Sequence, residues 1–274
     1  MRFPDISRNK FMTKQYSWIF PHYARPIPKW AGMLLLMGSV SLHADLTVYE
    51  GFDYPPGDLV GQAGGTGWNQ SWHGVDGANA RGLVVADSLK SSPAIMTNGG
   101  HMQTNEGDTP LLRELASPLF KGTGVTWISF LATNGSGQTD STYGFLKFAA
   151  VNGSDDGSIR IGKGFYGKNW ELVKGSQTQD LGVASDSAVV LFVLRIESTG
   201  KPGNDSIQVF VNPTTASAPT SPTGTIMGLT LTPLDEVAIQ SGNGTKAFGY
   251  DEIRIGTTFA DVVPASTASP ATNK

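Results

Sequence analysis

The chain has 274 residues, of which 34 are Gly, 16 are Pro and none is Cys, and only 16% are charged. That length suits one large all-β domain or two small ones, and the lack of cysteine excludes disulfides and thiolate metal sites. Formal charge is −3 overall, but residues 1–44 carry six basic residues against one acid, so the remainder stands at −8; such a surface repels phosphate backbones and excludes nucleic acid as a partner.

Arg2, Arg8, Lys10, Lys14, Arg25 and Lys29 precede an uncharged apolar stretch, Ala31 to Val40, followed by Ser41-Leu-His-Ala44. A basic region, a short apolar run and a small residue are the layout of a secretory signal. Its start is Met1 or Met12. The apolar run falls short of the roughly 20 residues that cross a bilayer, so no membrane insertion is expected once residues 1–44 are removed. The expected product is extracellular or held at the cell surface.

From Leu46 onward, short β segments alternate with Gly, Asn, Asp and Ser clusters. Leu46–Glu50 comes first, and Gly82–Ala86 and Ala94–Thr97 are weaker segments. Leu111–Leu115 fits one helical turn. Val125–Leu131 and Tyr143–Ala149 are strong strands, and Ile159–Ile161 is a short one. Ala188–Ile196 is apolar without alternation, so both its faces are expected to be covered. The turn-rich Ser198 to Asp205 links it to Ser206–Asn212 as an antiparallel hairpin. Thr225–Leu231, Glu236–Gln240 and Asp251–Gly256 follow, and in the last Ile253 and Ile255 face away from Glu252 and Arg254. The reading is ten to twelve strands and no sustained helix, in one domain over residues 45–264. Gly51 to Gly77 is a Gly-rich loop anchored by tryptophans, and the Ser/Thr/Pro/Ala tail at 265–274 cannot build a core.

Familiar chemistries are scarce. Only His73 and His101 follow the leader, too few for a His-based zinc site, and no Gly-x-Ser-x-Gly elbow occurs. Asp155-Asp156 lies in a turn. Asp235-Glu236 and Asp251-Glu252 are adjacent in sequence, which sends their side chains to opposite faces of a strand.

Four blocks carry a resemblance: Tyr49-Glu-Gly-Phe-Asp-Tyr-Pro-Pro-Gly57, Gly64-Gly-Thr-Gly-Trp68 with Trp72, Trp127-Ile-Ser-Phe-Leu131, and Asp251-Glu-Ile-Arg-Ile-Gly-Thr-Thr258. They resemble secreted bacterial proteins with a concanavalin A-like lectin/glucanase jelly roll, and the hairpin from Val189 to Pro213 is similar to paired strands of laminin-G-like domains. The resemblance implies a two-sheet antiparallel jelly-roll sandwich with adjacent first and last strands. The Glu-x-Asp-x-x-Glu strand of the glucanase branch is missing, so no catalytic residue is assigned. Many such relatives end in an apolar sorting helix that this sequence lacks, so anchoring to the envelope by that device is not expected.

The resemblance also implies one structural Ca²⁺ between first and last strands, for which Asp251 is the first candidate and Asp53 the second. Calcium accepts such a set because carbonyls and water complete its oxygen shell. Trp170, Trp72 and Trp68 lie in Gly-rich segments and are the candidate carbohydrate-binding residues, since an exposed indole stacks on the C–H face of a sugar. The functional expectation is a non-catalytic module binding an extracellular or cell-surface glycan. The alternatives are a glycoside hydrolase or polysaccharide lyase with carboxylates drawn from distant strands, and a structural envelope or matrix protein. If the leader is read correctly, export in a bacterial host yields a mature chain beginning at Asp45, checked by intact mass; an uncut chain in the medium contradicts it.

Overall fold

The computed structural model describes residues 46–75, 82–105, 110–135, 141–213, 217–242 and 248–264. The leader over 1–44, its start at Met1 or Met12, and the tail over 265–274 lie outside the described residues.

Period-two alternation dominates, and sixteen strands form among the described residues. In chain order they are β1 (Leu46–Glu50), β2 (Gly57–Asp58), β3 (His73–Gly74), β4 (Gly82–Val85), β5 (His101–Thr104), β6 (Leu111–Leu119), β7 (Gly124–Asn134) and β8 (Tyr143–Ala149). After a 3-10 turn at Asp155–Gly157 come β9 (Ile159–Lys163), β10 (Asn169–Lys174), β11 (Gln177–Ala184), β12 (Val190–Ser198), β13 (Asp205–Val211), β14 (Gly224–Leu229), β15 (Leu234–Gly242) and β16 (Phe248–Gly256). One short helix, α1 (Phe259–Val262), closes the domain.

The strands make two antiparallel sheets. One has nine strands in the order β14-β13-β12-β7-β16-β5-β4-β2, with β1 also on β16; the other has seven, β11-β10-β9-β8-β15-β6-β3. First and last strands are adjacent, with Val48 opposite Ile255 and Glu50 opposite Ile253. The expected hairpin is β12 with β13, Arg195 facing Gln208.

Side chains from both sheets fill the space between them. Phe130 of β7 stacks on Phe192 of β12 at 5.3 Å, and Trp170 of β10 meets Phe192 edge-on at 5.3 Å across the two layers. The uninterrupted apolar run of β12 has a structural reason. Phe192, Leu194 and Ile196 enter the inter-sheet core, while Leu191 and Val193 join an outer cluster with Trp127, Leu131, Phe210, Phe259 and Val262. Helix α1 therefore covers the second face. It is fixed by a capping box in which Thr258 accepts from the Asp261 amide and the Asp261 carboxylate accepts from the Thr258 amide at 2.7 Å.

Three expectations change. Leu111–Leu115 is not a helical turn but the start of β6, because Leu111, Arg113 and Leu115 all turn inward at a spacing of two. Ala94–Thr97 pairs in no named strand and lies in a loop, where Met96 gives its carbonyl to Arg254 at 2.7 Å. The segment around Trp170 is β10 rather than an exposed turn: Trp170 and Leu172 alternate with Glu171 and bury completely.

A buried ion pair links the two sheets. Glu50 alternates with core residue Val48 on β1, and Arg113 alternates with Leu111 and Leu115 on β6, so the two meet between the sheets as a buried ion pair. The Glu50 carboxylate also accepts from the Phe52 amide at 2.8 Å, the Tyr54 hydroxyl at 2.8 Å and Trp72 Nε1 at 3.0 Å. Arg113 donates from Nε to the Gln70 carbonyl and from Nη2 to the Gly64 carbonyl, both at 2.8 Å, and its guanidinium lies 4.7 Å over the Trp68 ring. Nearly every contact belongs to the 51–72 loop. Gly65 is required beside it, since its φ is +72° and a Cβ would sit 2.2 Å from the Tyr49 carbonyl oxygen.

Breaking a buried pair by removing one partner strands the other charge, at about 3–5 kcal/mol. Arg113→Met is expected to lower unfolding free energy by about that much and to shift tryptophan emission as the loop loosens, whereas adding Glu50→Gln recovers part of the loss. Urea titration followed by fluorescence measures both; a loss under about 1 kcal/mol contradicts the assignment.

Candidate functional site

The outer face of the seven-stranded sheet carries the side chains that alternate with its core positions. On β8 these are Tyr143, Phe145 and Lys147, beside Leu146 and Phe148 in the core. On β9 Arg160 and Gly162 alternate with Ile159 and Ile161, and on β10 Glu171 and Val173 alternate with Trp170 and Leu172. The ladder aligns them. Glu171 faces Asp180 of β11 on one side and Gly162 on the other, Gly162 faces Phe145, and Phe145 faces Gln240 of β15.

A groove of about 460 Å³ runs over this rung, lined by Tyr143, Phe145, Arg160, Glu171, Thr178 and Gln240 among others. Gly162 keeps its floor low: a Cβ there would stand 2.6 Å from the Phe145 ring. The β9–β10 connection, Gly164-Phe-Tyr-Gly167, raises one wall. Phe165 stacks on Tyr143 with ring centres 5.3 Å apart, and Tyr166 meets Phe165 edge-on at 5.3 Å. Tyr166 is 78% exposed and Phe165 42%, so this wall presents apolar ring surface to solvent on a rigid support.

The polar groups of the groove are incompletely used. The Arg160 guanidinium lies 5.5 Å from the Phe145 ring centre, and its Nη1 reaches Asp155 at 3.4 Å. Its Nε is buried and has no hydrogen-bond partner. Lys147 holds the same Asp155 more closely, at 2.7 Å. Glu171 is half-buried, and burial, the largest cause, pushes its carboxyl above the usual carboxylate range against the pull of Arg160. Asp180, its cross-strand neighbour, is exposed and accepts from Asn169 Nδ2 at 3.1 Å and from the Gly182 amide at 2.7 Å.

The residues singled out from sequence lie elsewhere. Trp170 is fully buried, edge-on to Phe192 and Phe248, and presents no face to a sugar. Trp72 is also fully buried and donates to Glu50. Trp68 is half-buried, 6.0 Å from Trp72, with its Nε1 donating to the Tyr49 carbonyl at 2.9 Å. The structure thus brings Trp68 and Trp72 together, as anchors of the 51–72 loop. The burial of Trp170 and Trp72 has one cause, that a large indole stabilises most where it is desolvated.

Asp251 is fully buried on β16. Its two oxygens accept from the Leu89 amide at 3.0 Å and the Glu252 amide at 2.8 Å, and burial with the neighbouring Glu252 charge pushes its carboxyl up to about 9. Asp53 is exposed and accepts from Asn98 Nδ2 at 3.4 Å. Among the described residues no group of three or more His, Asp or Glu side chains is arranged to hold a metal ion. A buried carboxyl already saturated by two amides does not fit a calcium ligand, so the Asp251 set does not suit the ion that the resemblance implied.

Sequence reasoning did not select Arg160, Glu171, Phe165 or Tyr166. The signal for Arg160 was present, since Ile159-Arg-Ile161 alternates and sends Arg160 away from the core. The pair Phe165-Tyr166 between two glycines, linking apolar segments, marks an exposed aromatic turn.

No family model matches the chain, and no curated protein matches it in sequence. Among solved structures it is similar to the globular domain of calreticulin from T. cruzi, at 12% identity over 79% of this chain and 90% of that one, with a TM-score of 0.50. It is similar also to an endo-1,3-beta-glucanase from Streptomyces sioyaensis (7% identity, 76% and 95% covered, TM-score 0.42). A third is arcelin-5, a lectin-like defense protein from Phaseolus vulgaris (10% identity, 65% and 92% covered, TM-score 0.40). The fold is the concanavalin A-like jelly roll that the sequence blocks resemble. No helix among the described residues is long and apolar enough to cross a membrane.

Burial raises the carboxyls of Asp251, Glu171 and Glu236 above their ordinary values. A raised acid keeps in the folded state a proton that the unfolded chain releases near pH 4, so its contribution is complete below that pH and is lost as pH rises toward the folded value. Stability is therefore expected to fall from about pH 4 to about pH 9, and Asp251→Ala, though less stable, removes part of that slope. Urea midpoints measured across this range test it; a midpoint rising with pH contradicts it.

Proposed function

We propose that this chain binds carbohydrate in the groove on the outer face of the seven-stranded sheet, as an exported glycan-binding module. One observation carries the reading: an exposed aromatic wall, Tyr143 to Tyr166, stands beside the groove-lining Arg160 guanidinium and an acceptor at Glu171 that takes no hydrogen bond from the described residues. A sugar ring offers an apolar C–H face for the wall, and its hydroxyls both donate and accept, as these two side chains require. Thr178 and Gln240 add exchangeable polar contacts at the two ends. The lectin-like and glucanase neighbours share the fold and agree with a carbohydrate ligand without identifying it. Export rests on the layout of residues 1–44.

A hydrolytic reading is favoured by the register alone. Glu171 and Asp180 are directly opposed across an antiparallel pair, where Cβ atoms stand about 4.5–5.5 Å apart, and retaining glycosidases place two carboxyl groups about 5–5.5 Å apart. Incubation with polysaccharides followed by a reducing-end assay tests it: new ends formed by the native chain and abolished in Glu171→Gln support hydrolysis, and none leaves a binding module.

For binding, Tyr166→Ala and Phe165→Ala are each expected to weaken the retained glycan about tenfold, the equivalent of about 1.4 kcal/mol. Trp72→Phe, which alters the buried loop anchor, leaves affinity unchanged at a temperature where it is folded. Glycan-array binding and calorimetry of residues 45–274 read this out, with chelator making no difference. No retained glycan in any buffer contradicts the reading.

A further inference from the structure

Three Asn-Gly steps lie among the described residues, at Asn98-Gly99, Asn134-Gly135 and Asn152-Gly153. In such a step the backbone nitrogen of the glycine attacks the preceding side-chain amide, and the absence of a side chain on glycine leaves that ring closure unhindered. Local sequence ranks the three alike. The fold separates them by what it does to each attacking N–H and each amide.

Asn134 is fully buried at the end of β7, and its Nδ2 donates to the Ser185 carbonyl at 3.1 Å and to Ser185 Oγ at 3.0 Å. Its amide is held and kept from the water that the reaction consumes. Asn152 is exposed, but the Gly153 N–H that would attack donates to the Ala150 carbonyl at 2.7 Å. Asn98 has neither protection. It is exposed, its Nδ2 reaches Asp53 at the long distance of 3.4 Å, and the Gly99 N–H donates to no described residue. The fold also demands the glycine: Gly99 has a φ of +76°, and a Cβ there would stand 2.6 Å from Asp53 Cα, so a bulkier residue that would slow the attack is excluded.

We propose that Asn98 is a site of spontaneous deamidation, and that its conversion releases the loop between β4 and β5. The Gly99 nitrogen gives its proton to solvent base and bonds to Asn98 Cγ; the Cγ–Nδ2 bond breaks and Nδ2 leaves as ammonia. Water then opens the succinimide at either carbonyl, giving aspartate or isoaspartate. Water is the only co-reactant, and the reaction is independent of what the groove binds.

The product does not suit its surroundings. The Asn98 amide N–H donates to Glu252 at 2.6 Å, and the Gly99 carbonyl accepts from Ser88 Oγ at 3.0 Å. Isoaspartate adds a methylene to the backbone between those two pinned points. A carboxylate at 98 also replaces a donor to Asp53 with a like charge, at a residue already held by Glu252. Leu89 and Ile95 of this loop belong to the outer apolar cluster, so its release uncovers part of that cluster.

The test ages the mature full chain at mildly alkaline pH, both folded and in urea, and follows each Asn-Gly step by peptide mapping in isotopically heavy water. In urea the three steps are expected to convert at similar rates. In the folded chain Asn98 is expected to convert at least about tenfold faster than Asn134 or Asn152, the ratio set by about 1.4 kcal/mol of barrier. The species modified at 98, separated by anion exchange, is expected to show faster hydrogen exchange across the β4–β5 loop than the native chain. Asn98→Gln, whose side chain has to close a larger ring, is expected to stay unmodified at that position. Conversion led by Asn134 or Asn152, or an Asn98 that converts in urea and stays intact in the folded chain, overturns the proposal. So does conversion at the same rate in Asn98→Gln, or a modified chain whose loop exchanges as slowly as the native one.

Discussion

The Glu50–Arg113 pair joins the two sheets through a buried ion pair. Its partners are contributed by a loop with no ladder of its own beyond short pairings: the Phe52 amide, Tyr54, Gly64, Gln70 and Trp72 all bond to one of the two charges. Desolvating a carboxylate and a guanidinium is costly, and the arrangement holds because the remaining lone pairs and protons are nearly all satisfied. Trp68 and Trp72 shield the pair from water, which strengthens every bond within it. The loop rich in Gly and aromatics is thereby packed as firmly as a strand, and the first strand keeps its place beside the last.

With that end closed, the opposite surface of the seven-stranded sheet is free to carry function. Its geometry follows from register. Because Trp170, Leu172, Ile159 and Ile161 must face the core, Glu171 and Arg160 must face solvent, and the ladder sets them on neighbouring rungs. A shift of one residue in β10 would exchange the Trp170 core contact for an exposed indole and turn Glu171 inward. Core packing therefore positions the groove. The aromatic turn at Phe165 and Tyr166 connects β9 and β10, the two strands that carry Arg160 and Glu171.

Much of this was legible in sequence. Alternation located β8 to the residue, the turn between Ser198 and Asp205 located the β12–β13 hairpin, and the unbroken apolar run of β12 announced covering on both faces, supplied by α1. What failed did so for physical reasons. Glycine density around Trp170 read as an exposed loop, yet Gly162 and Gly164 are there because Phe145 and Glu171 approach the backbone closely, a tertiary fact. Asp251 was read as a metal ligand from its position at the last strand. Local sequence does not disclose that Leu89, 162 residues away, spends that carboxylate with its amide. Arg160 and Glu171 come together only through strand pairing, which no spacing within either segment reports.

The most direct test of the account is to locate the bound sugar rather than to weigh its affinity. Backbone and aromatic chemical-shift mapping of the mature chain, during titration with an oligosaccharide mixture, separates the surfaces without mutation. The account predicts shifts concentrated at Tyr143, Phe145, Arg160, Phe165, Tyr166, Glu171 and Gln240. Shifts confined to the loop around Trp68, or to the strand bearing Asp251, with the groove silent, would contradict it.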